Sequence, residues 1–223
     1  MAETGTATPR ERYRAQVRAE IKQHAREQIA AAGASALSLN AIAKRMGVSG
    51  PALYRYYAGR DELITEMVTD AYRSLADTLT AACAPSAPDP AVLANALRGW
   101  ALDDPQQYFL IYGTPVPGYH APDDITAISD QIMTMLLDAC SAMSPDRAAT
   151  PLEERLEAHL DEHRHWAGDR SAPPAVLHRA LIFWTRLHGV LSLELAGHFG
   201  GMGLDPALLF AAELEDLLPA GRR

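Results

Sequence analysis

The stretch Ser38–Arg60, SLNAIAKRMGVSGPALYRYYAGR, constrains this chain more than any other. Ser38 suits a helix start, because its hydroxyl accepts from an amide that a first turn leaves unpaired. Ile42, Ala43 and Met46 then share one apolar face at helical spacing. Gly47 reverses the chain, and Ser49 caps a second helix with Pro51 just inside it, where a missing amide hydrogen costs little. Leu53 and Tyr57, four residues apart, give that second helix its inward face, which leaves Gly50, Ala52, Arg55 and Tyr56 outside. Two short helices joined by a tight glycine turn form a helix-turn-helix, and the second helix of such a pair fits a DNA major groove.

Net charge first argues against that reading. The 223-residue chain carries a formal charge of -8, which repels phosphate. Divided at residue 60, however, the chain has ten Lys/Arg and four Asp/Glu before the division, a balance of +6, and -14 after it. A basic module on an acidic body is the asymmetry expected if only the first sixty residues meet a nucleic acid. The expected organisation is therefore a DNA-binding domain over 1–60, with 1–9 disordered, and a larger helical domain over 61–223.

Helical patterns fill the rest. Arg10–Ala32 carries Val17, Ile21, Ala25 and Ile29 on one face and ends at Gly33. Asp61 to about Ala84 is long enough to carry a displacement between domains. Shorter helices over Ala91–Leu102 and Pro105–Tyr112 follow a Pro-rich link, and further helices are expected over Asp123–Met143, Leu152–Ala167, Ala175–Phe199 and Asp205–Leu218. No strand-like alternation is present, so the fold class is all-α. No apolar run approaches membrane-spanning length and no leader-like apolar segment opens the chain. Cys83 and Cys140 are isolated and read as reduced, buried thiols. The cytoplasm is the expected compartment, with no membrane partner.

The last two helices have apolar residues on more than one side. Val176, Phe183 and Val190 recur every seven residues beside the stripe Leu177, Leu181, Trp184, Leu191 and Leu195. Such a helix is either fully buried or set between its own core and a partner. The expectation favours a homodimer interface at Val176, Phe183, Val190, Leu208 and Leu214, which would pair two reading heads.

These residues resemble a known family. Leu37-Ser38, Ile42-Ala43, Met46-Gly47-Val48-Ser49, Leu53-Tyr54-Arg55-Tyr56-Tyr57 and Arg60-Asp61-Glu62-Leu63 are similar to the DNA-binding domain of TetR-type repressors. Trp184 with His188-Gly189, together with Trp100, Pro105, Tyr108 and Leu110, resembles the Trp-x-x-x-His-Gly group of their C-terminal domains. The resemblance implies a homodimeric repressor that binds a palindromic double-stranded operator and releases it when a small-molecule effector enters the C-terminal domain. It implies phosphate contacts from Ser38, Ser49, Tyr54, Tyr56 and Arg60, with Lys44 adding to them. Base reading falls to Asn40, Gly50, Pro51, Ala52 and Arg55, and Asn40 has the amide that pairs bidentately with adenine. Gly50 and Ala52 offer little to a base edge.

The effector site is less defined in the sequence. Trp100, Tyr108, Phe109, Tyr112, Met133, Trp166, Trp184 and His188 are candidates for an apolar wall with polar handles, and His120 for a cavity mouth. His159 and His163 share a helix face, with Glu162 between them and His165 close by, a spacing that can hold zinc. The His-Glu-x-x-His order of a hydrolytic site is absent, and a solvated charged face accounts for the cluster better. No cofactor, metal or catalytic residue is expected. The competing readings are a constitutive DNA-binding protein without effector, and an all-helical metal enzyme built on His159 and His163.

Overall fold

A computed structural model describes residues 8–84, 86–113, 118–119, 122–143, 148–167 and 171–219. Among them every regular element is helical. The α-helices are α1 (Pro9–Ala32), α2 (Leu39–Arg45), α3 (Gly50–Leu53), α4 (Arg60–Cys83), α5 (Pro90–Asp103), α6 (Pro105–Tyr112), α7 (Asp123–Ser141), α8 (Pro151–Glu162), α9 (Pro174–Leu195) and α10 (Pro206–Leu217). Short 3-10 turns occupy Ala34–Ala36 and Arg164–Trp166.

The chain forms two compact units. One comprises Met1–Ala71 with Gln106–Pro122, the other Tyr72–Pro105 with Asp123–Arg223, so α4 contributes to both. The first unit thus takes in the beginning of α4 and residues 106–122 in addition to the basic segment. Its core is Ile21 and Ala25 of α1, Leu39, Ile42 and Ala43 of α2, Leu53 and Tyr57, and Leu63, Ile64, Met67 and Val68 of α4, all buried. Each helix contributes the face that its spacing selects. In the second unit α9 packs against α5, α7, α8 and α10. Leu136, Leu137, Cys140, Leu177, Ala180, Phe183, Leu187, Phe210 and Leu214 are among the residues that close its core.

Glycines set two helix ends in the same way. At α2 the Gly47 amide donates to the Lys44 carbonyl and the Val48 amide to the Ala43 carbonyl, with Gly47 at φ 68°. At α9 the Gly197 amide donates to Glu194 and the His198 amide to Leu193, with Gly197 at φ 76°. This bonding returns the orphan carbonyls of the last turn and needs a left-handed residue. It stops α9 at Leu195 rather than at Phe199, because the first glycine placed to adopt that conformation ends the helix. α8 likewise stops at Glu162, short of Ala167, where His163 leaves helical geometry.

The dimer residues require a correction. Val176, Phe183 and Leu214 are buried within the second unit, and Val190 packs partly buried against the same core. Four neighbouring helices use both apolar sides of α9 internally, so the seven-residue repeat does not mark an outward face. Leu208 alone of the five is exposed, at 68%. The described part of the Pro-rich segment is small, and His120 lies outside the described residues.

Candidate nucleic-acid interface

The reading head is built around a fixed entry to α2. The Ser38 hydroxyl accepts from the Ala41 amide at 3.4 Å, as a cap should. Gln28 of α1 clasps the same residue, its side-chain oxygen accepting from the Ser38 amide at 2.9 Å and its amide nitrogen donating to the Ser38 carbonyl at 3.4 Å. That bracing was not visible in the sequence, since Gln28 lies ten residues away with no motif to mark it.

α3 is one turn long and is anchored by Leu53 and Tyr57, which are 1% and 0% exposed. Its outer side is open. Ser49 occupies the cap position, but its hydroxyl makes no capping bond, and Ser49, Pro51, Tyr54 and Arg55 are exposed. Gly50, Ala52 and Tyr56 are half-buried, while Asn40 and Lys44 on α2 are exposed. A Cβ added at Gly50 would stand 3.2 Å from the Asn40 side-chain oxygen, so these two candidate base readers are neighbours across the turn.

Two basic residues are turned to other work. Arg60 donates to the Ala34 carbonyl at 3.0 Å and pairs with Asp61 at 3.5 Å, bracing the 3-10 turn instead of extending outward. Arg45 pairs with Glu27 at 2.7 Å. Behind the head, Arg18 of α1 binds Glu66 of α4 and lies 4.5 Å over the Tyr57 ring. Lys22 reaches Glu66 at 3.0 Å and Asp70 at 2.5 Å. Burial opposes charge on Glu66, but hydrogen bonds from Arg18 and Lys22 outweigh it and hold the carboxyl below its usual range. The acids of this network are neutralised locally, which leaves the outer side of the module basic.

Residues 21–67, which span this head, match the family described as bacterial regulatory proteins, tetR family, and residues 90–217 match the tetracyclin repressor-like C-terminal domain. The chain belongs to the tetR family. It is 36% identical over 228 aligned positions to the HTH-type transcriptional regulator Rv1816 of Mycobacterium tuberculosis, covering 96% of this chain and 95% of that one. The regulator Mb1846 of Mycobacterium bovis matches to the same extent, with 36% identity over 228 positions. A solved structure described as a candidate regulatory protein, SCO4313, is 69% identical with a TM-score of 0.82, over 95% of this chain and 99% of that one. A Rhodococcus protein of unknown function shares the fold at a TM-score of 0.62 and 18% identity, over 97% of both chains. The protein is thus a helix-turn-helix transcriptional regulator of the tetR family. No helix among the described residues is long and apolar enough to cross a membrane.

In the second unit of this tetR-family chain lies a small apolar cavity of about 30 Å³. Leu75 and Leu79 from α4, Leu93, Ala94 and Leu97 from α5, Ile132 and Leu136 from α7, and Phe183, Trp184, Leu187 and His188 from α9 line it. The Trp184 and His188 rings lie against each other at a 40° tilt with centroids 4.1 Å apart. Burial lowers the His188 pKa from 6.5 to about 4, so the imidazole is neutral at pH 7. Of the eight residues expected at an effector site, Trp184 and His188 line this cavity. Trp100 is buried and donates its indole N–H to the Ser74 hydroxyl at 3.1 Å, while Met133 and Trp166 pack against the core. Tyr108, Phe109 and Tyr112 belong to the first unit and pack on one another, with Tyr108 ring centroids 5.6 Å from Phe109 and 5.2 Å from Tyr112. The aliphatic lining was not legible, because a leucine facing a cavity has the same spacing as one facing a core.

His159, Glu162 and His163 lie together, their ligand atoms within 4.8 Å of one another and all three exposed. The His163 Nδ1 meets the His159 carbonyl at 2.9 Å and the two rings stack at 4.2 Å. The site is open to solvent at the end of α8.

Proposed function

We propose that this regulator is a repressor, which binds a palindromic operator as a homodimer and leaves it when an uncharged, mainly apolar small molecule enters the second unit at its apolar cavity and widens it. The observation that carries the reading is the open outer side of α3. Pro51 on α3, its caps Ser49 and Tyr54, and Arg55 in the turn that follows are exposed, while Leu53 and Tyr57 behind them are buried, beside an exposed Asn40. Ser49, Tyr54 and Tyr56 hold phosphates, with Ser38 and Lys44 beside them, while Asn40, Gly50, Pro51, Ala52 and Arg55 face the bases. Arg60 acts through Ala34 and not directly on DNA.

The dimer forms through α9 and α10, with Leu193, Leu204 and Leu208 as its apolar contacts, since these are 45%, 42% and 68% exposed. The cavity supports the effector class. Its walls are hydrocarbon except for the Trp184 indole and a neutral imidazole, and a charged ligand there would lose hydration without a compensating ion pair. α4 carries the coupling, because it lines the cavity with Leu75 and Leu79 and holds Glu66 against α1. Coupling of this kind is typically about 1–3 kcal/mol. We place the protein in the cytoplasm, where its DNA lies.

Selection of bound duplexes from a random pool tests the reading. The expected product is an inverted repeat with half-sites about one helical turn apart, roughly 34–36 Å centre to centre, bound by two protomers. Recovery of no enriched sequence, or of a single unrepeated site bound by one protomer, refutes it.

A further inference from the structure

The first turns of α1 form a helix that serves no packing purpose. Every residue from Thr8 to Gln16 is exposed, and the first buried side chain of α1 is Ile21. Turns that bury nothing gain little from propensity alone. Yet the start of α1 is firmly made. Pro9 stands at its first position, the Thr8 hydroxyl accepts from the Glu11 amide at 3.3 Å, and the Glu11 carboxylate accepts from the Thr8 amide at 2.8 Å and from its hydroxyl at 2.9 Å. This reciprocal cap fixes a helical arm where a frayed end would cost nothing.

The arm carries Arg10, Arg12 and Arg14, none of which has an ion-pair partner among the described residues. Glu11, the acid beside them, is occupied with Thr8. Arg18, one turn beyond Arg14, marks where the arm leaves the module. Its guanidinium donates to the Tyr56 carbonyl at 3.3 Å and is held by Glu66. From there the helix continues for eight residues to Arg10, about 12 Å at 1.5 Å per residue. Arg10 and Arg14 share one face, with Tyr13, 63% exposed, next to them. The arm is therefore a cationic surface continuous with the reading face at Tyr56, and its charge complements duplex phosphate.

We propose that Arg10 and Arg14 contact DNA phosphates outside the half-site read by α3, with the Tyr13 hydroxyl as an added donor. This inference rests on the DNA-binding reading above. The contacts add affinity and register without selecting bases.

The test uses the full chain and duplexes enriched by the wild-type protein, with binding followed by fluorescence anisotropy over a series of KCl concentrations and by hydroxyl-radical footprinting. Replacing both arginines (R10A/R14A) removes four contacts from a dimer, so the slope of log affinity against log salt should flatten by about 3.6. Protection should disappear at the outer edges of the footprint while the preferred half-site sequence is kept. The R10K/R14K variant keeps the charge and should restore the slope. An unchanged slope and footprint in R10A/R14A overturns the proposal, as does a loss equally large in R10K/R14K. If the wild-type chain enriches no duplex, the proposal falls together with the reading beneath it, an outcome distinct from failure of the arm alone.

Discussion

Acidification from pH 7 to pH 5 should weaken the fold through one side chain, His188. It is 8% exposed, and every other side chain lining its cavity is uncharged. Its pKa falls from 6.5 in the open chain to about 4 in the fold because burial penalises the imidazolium. Between those values the unfolded chain binds a proton that the folded one refuses. The contribution is therefore fully present above pH 6.5 and is lost as pH falls toward 4. The full effect is about 3 kcal/mol, of which about 2 kcal/mol is lost between pH 7 and pH 5. Other groups titrate in this range, so the measurement is a comparison with His188→Leu, which keeps the wall apolar and removes the proton site. Urea unfolding at pH 7 and pH 5, at one protomer concentration, gives the loss for each protein. The wild type should lose about 2 kcal/mol more than the variant. Equal losses in the two proteins would refute the assignment of the pH response to the buried imidazole.

Further outcomes follow from the same geometry. Ala94 is 1% exposed on the wall of a cavity of only about 30 Å³, so Ala94→Leu overfills it and should lower stability by about 1–3 kcal/mol in urea unfolding. Gly197→Ala forces a side chain into a backbone with φ of 76° and should cost about 1–2 kcal/mol in thermal unfolding. Gly99→Ala, within α5 and with nothing within 4 Å of the added carbon, should instead stabilise by about 0.5–1 kcal/mol. In operator-binding assays Tyr54→Ala should weaken affinity for all sequences, while Asn40→Ala should mainly relax preference at one base pair, by about 1–3 kcal/mol of discrimination.

The helix-turn-helix was legible because it is local. Cap, glycine turn and inward pair lie within twenty-three residues, and each is fixed by backbone chemistry that needs no tertiary knowledge. Leu53 and Tyr57 are buried as their four-residue spacing requires. The second unit was legible as helices but not as surfaces. Spacing shows that α9 is apolar on two sides, but which neighbours cover those sides depends on the path of α5, α7, α8 and α10. The same limit hid the cavity. Aromatic residues were expected there for their size, yet Trp100 and Tyr108 are taken by packing, and plain leucines of α4 and α5 form much of the wall. The Arg60 side chain shows a third limit. Spacing marks a basic residue at the start of α4, but the bond from its guanidinium to the Ala34 carbonyl depends on the path of the 3-10 turn.

The thin base code proposed for α3 has a structural rationale in the closeness of Gly50 to Asn40. A Cβ at Gly50 would press on the Asn40 side-chain oxygen at 3.2 Å, tighter than ordinary contact. A larger residue at position 50 would add a reading group on α3 and displace one on α2. The glycine therefore gives up its own base contact and keeps the Asn40 amide in place, and that amide can pair with an adenine edge through two bonds. With Ala52 and Pro51 able to touch little beyond a thymine methyl, the proposed contacts would read few base pairs directly. On the proposed reading, the remaining selectivity would come from how readily a sequence brings its phosphates to Ser49, Tyr54 and Tyr56, and to the arginines of the α1 arm, which is recognition through DNA shape. A reader of this kind tolerates base changes at uncontacted positions that preserve groove geometry and rejects those that stiffen or widen the groove. The division of labour proposed between Asn40 and the phosphate contacts would thus be set by the absence of one side chain at Gly50.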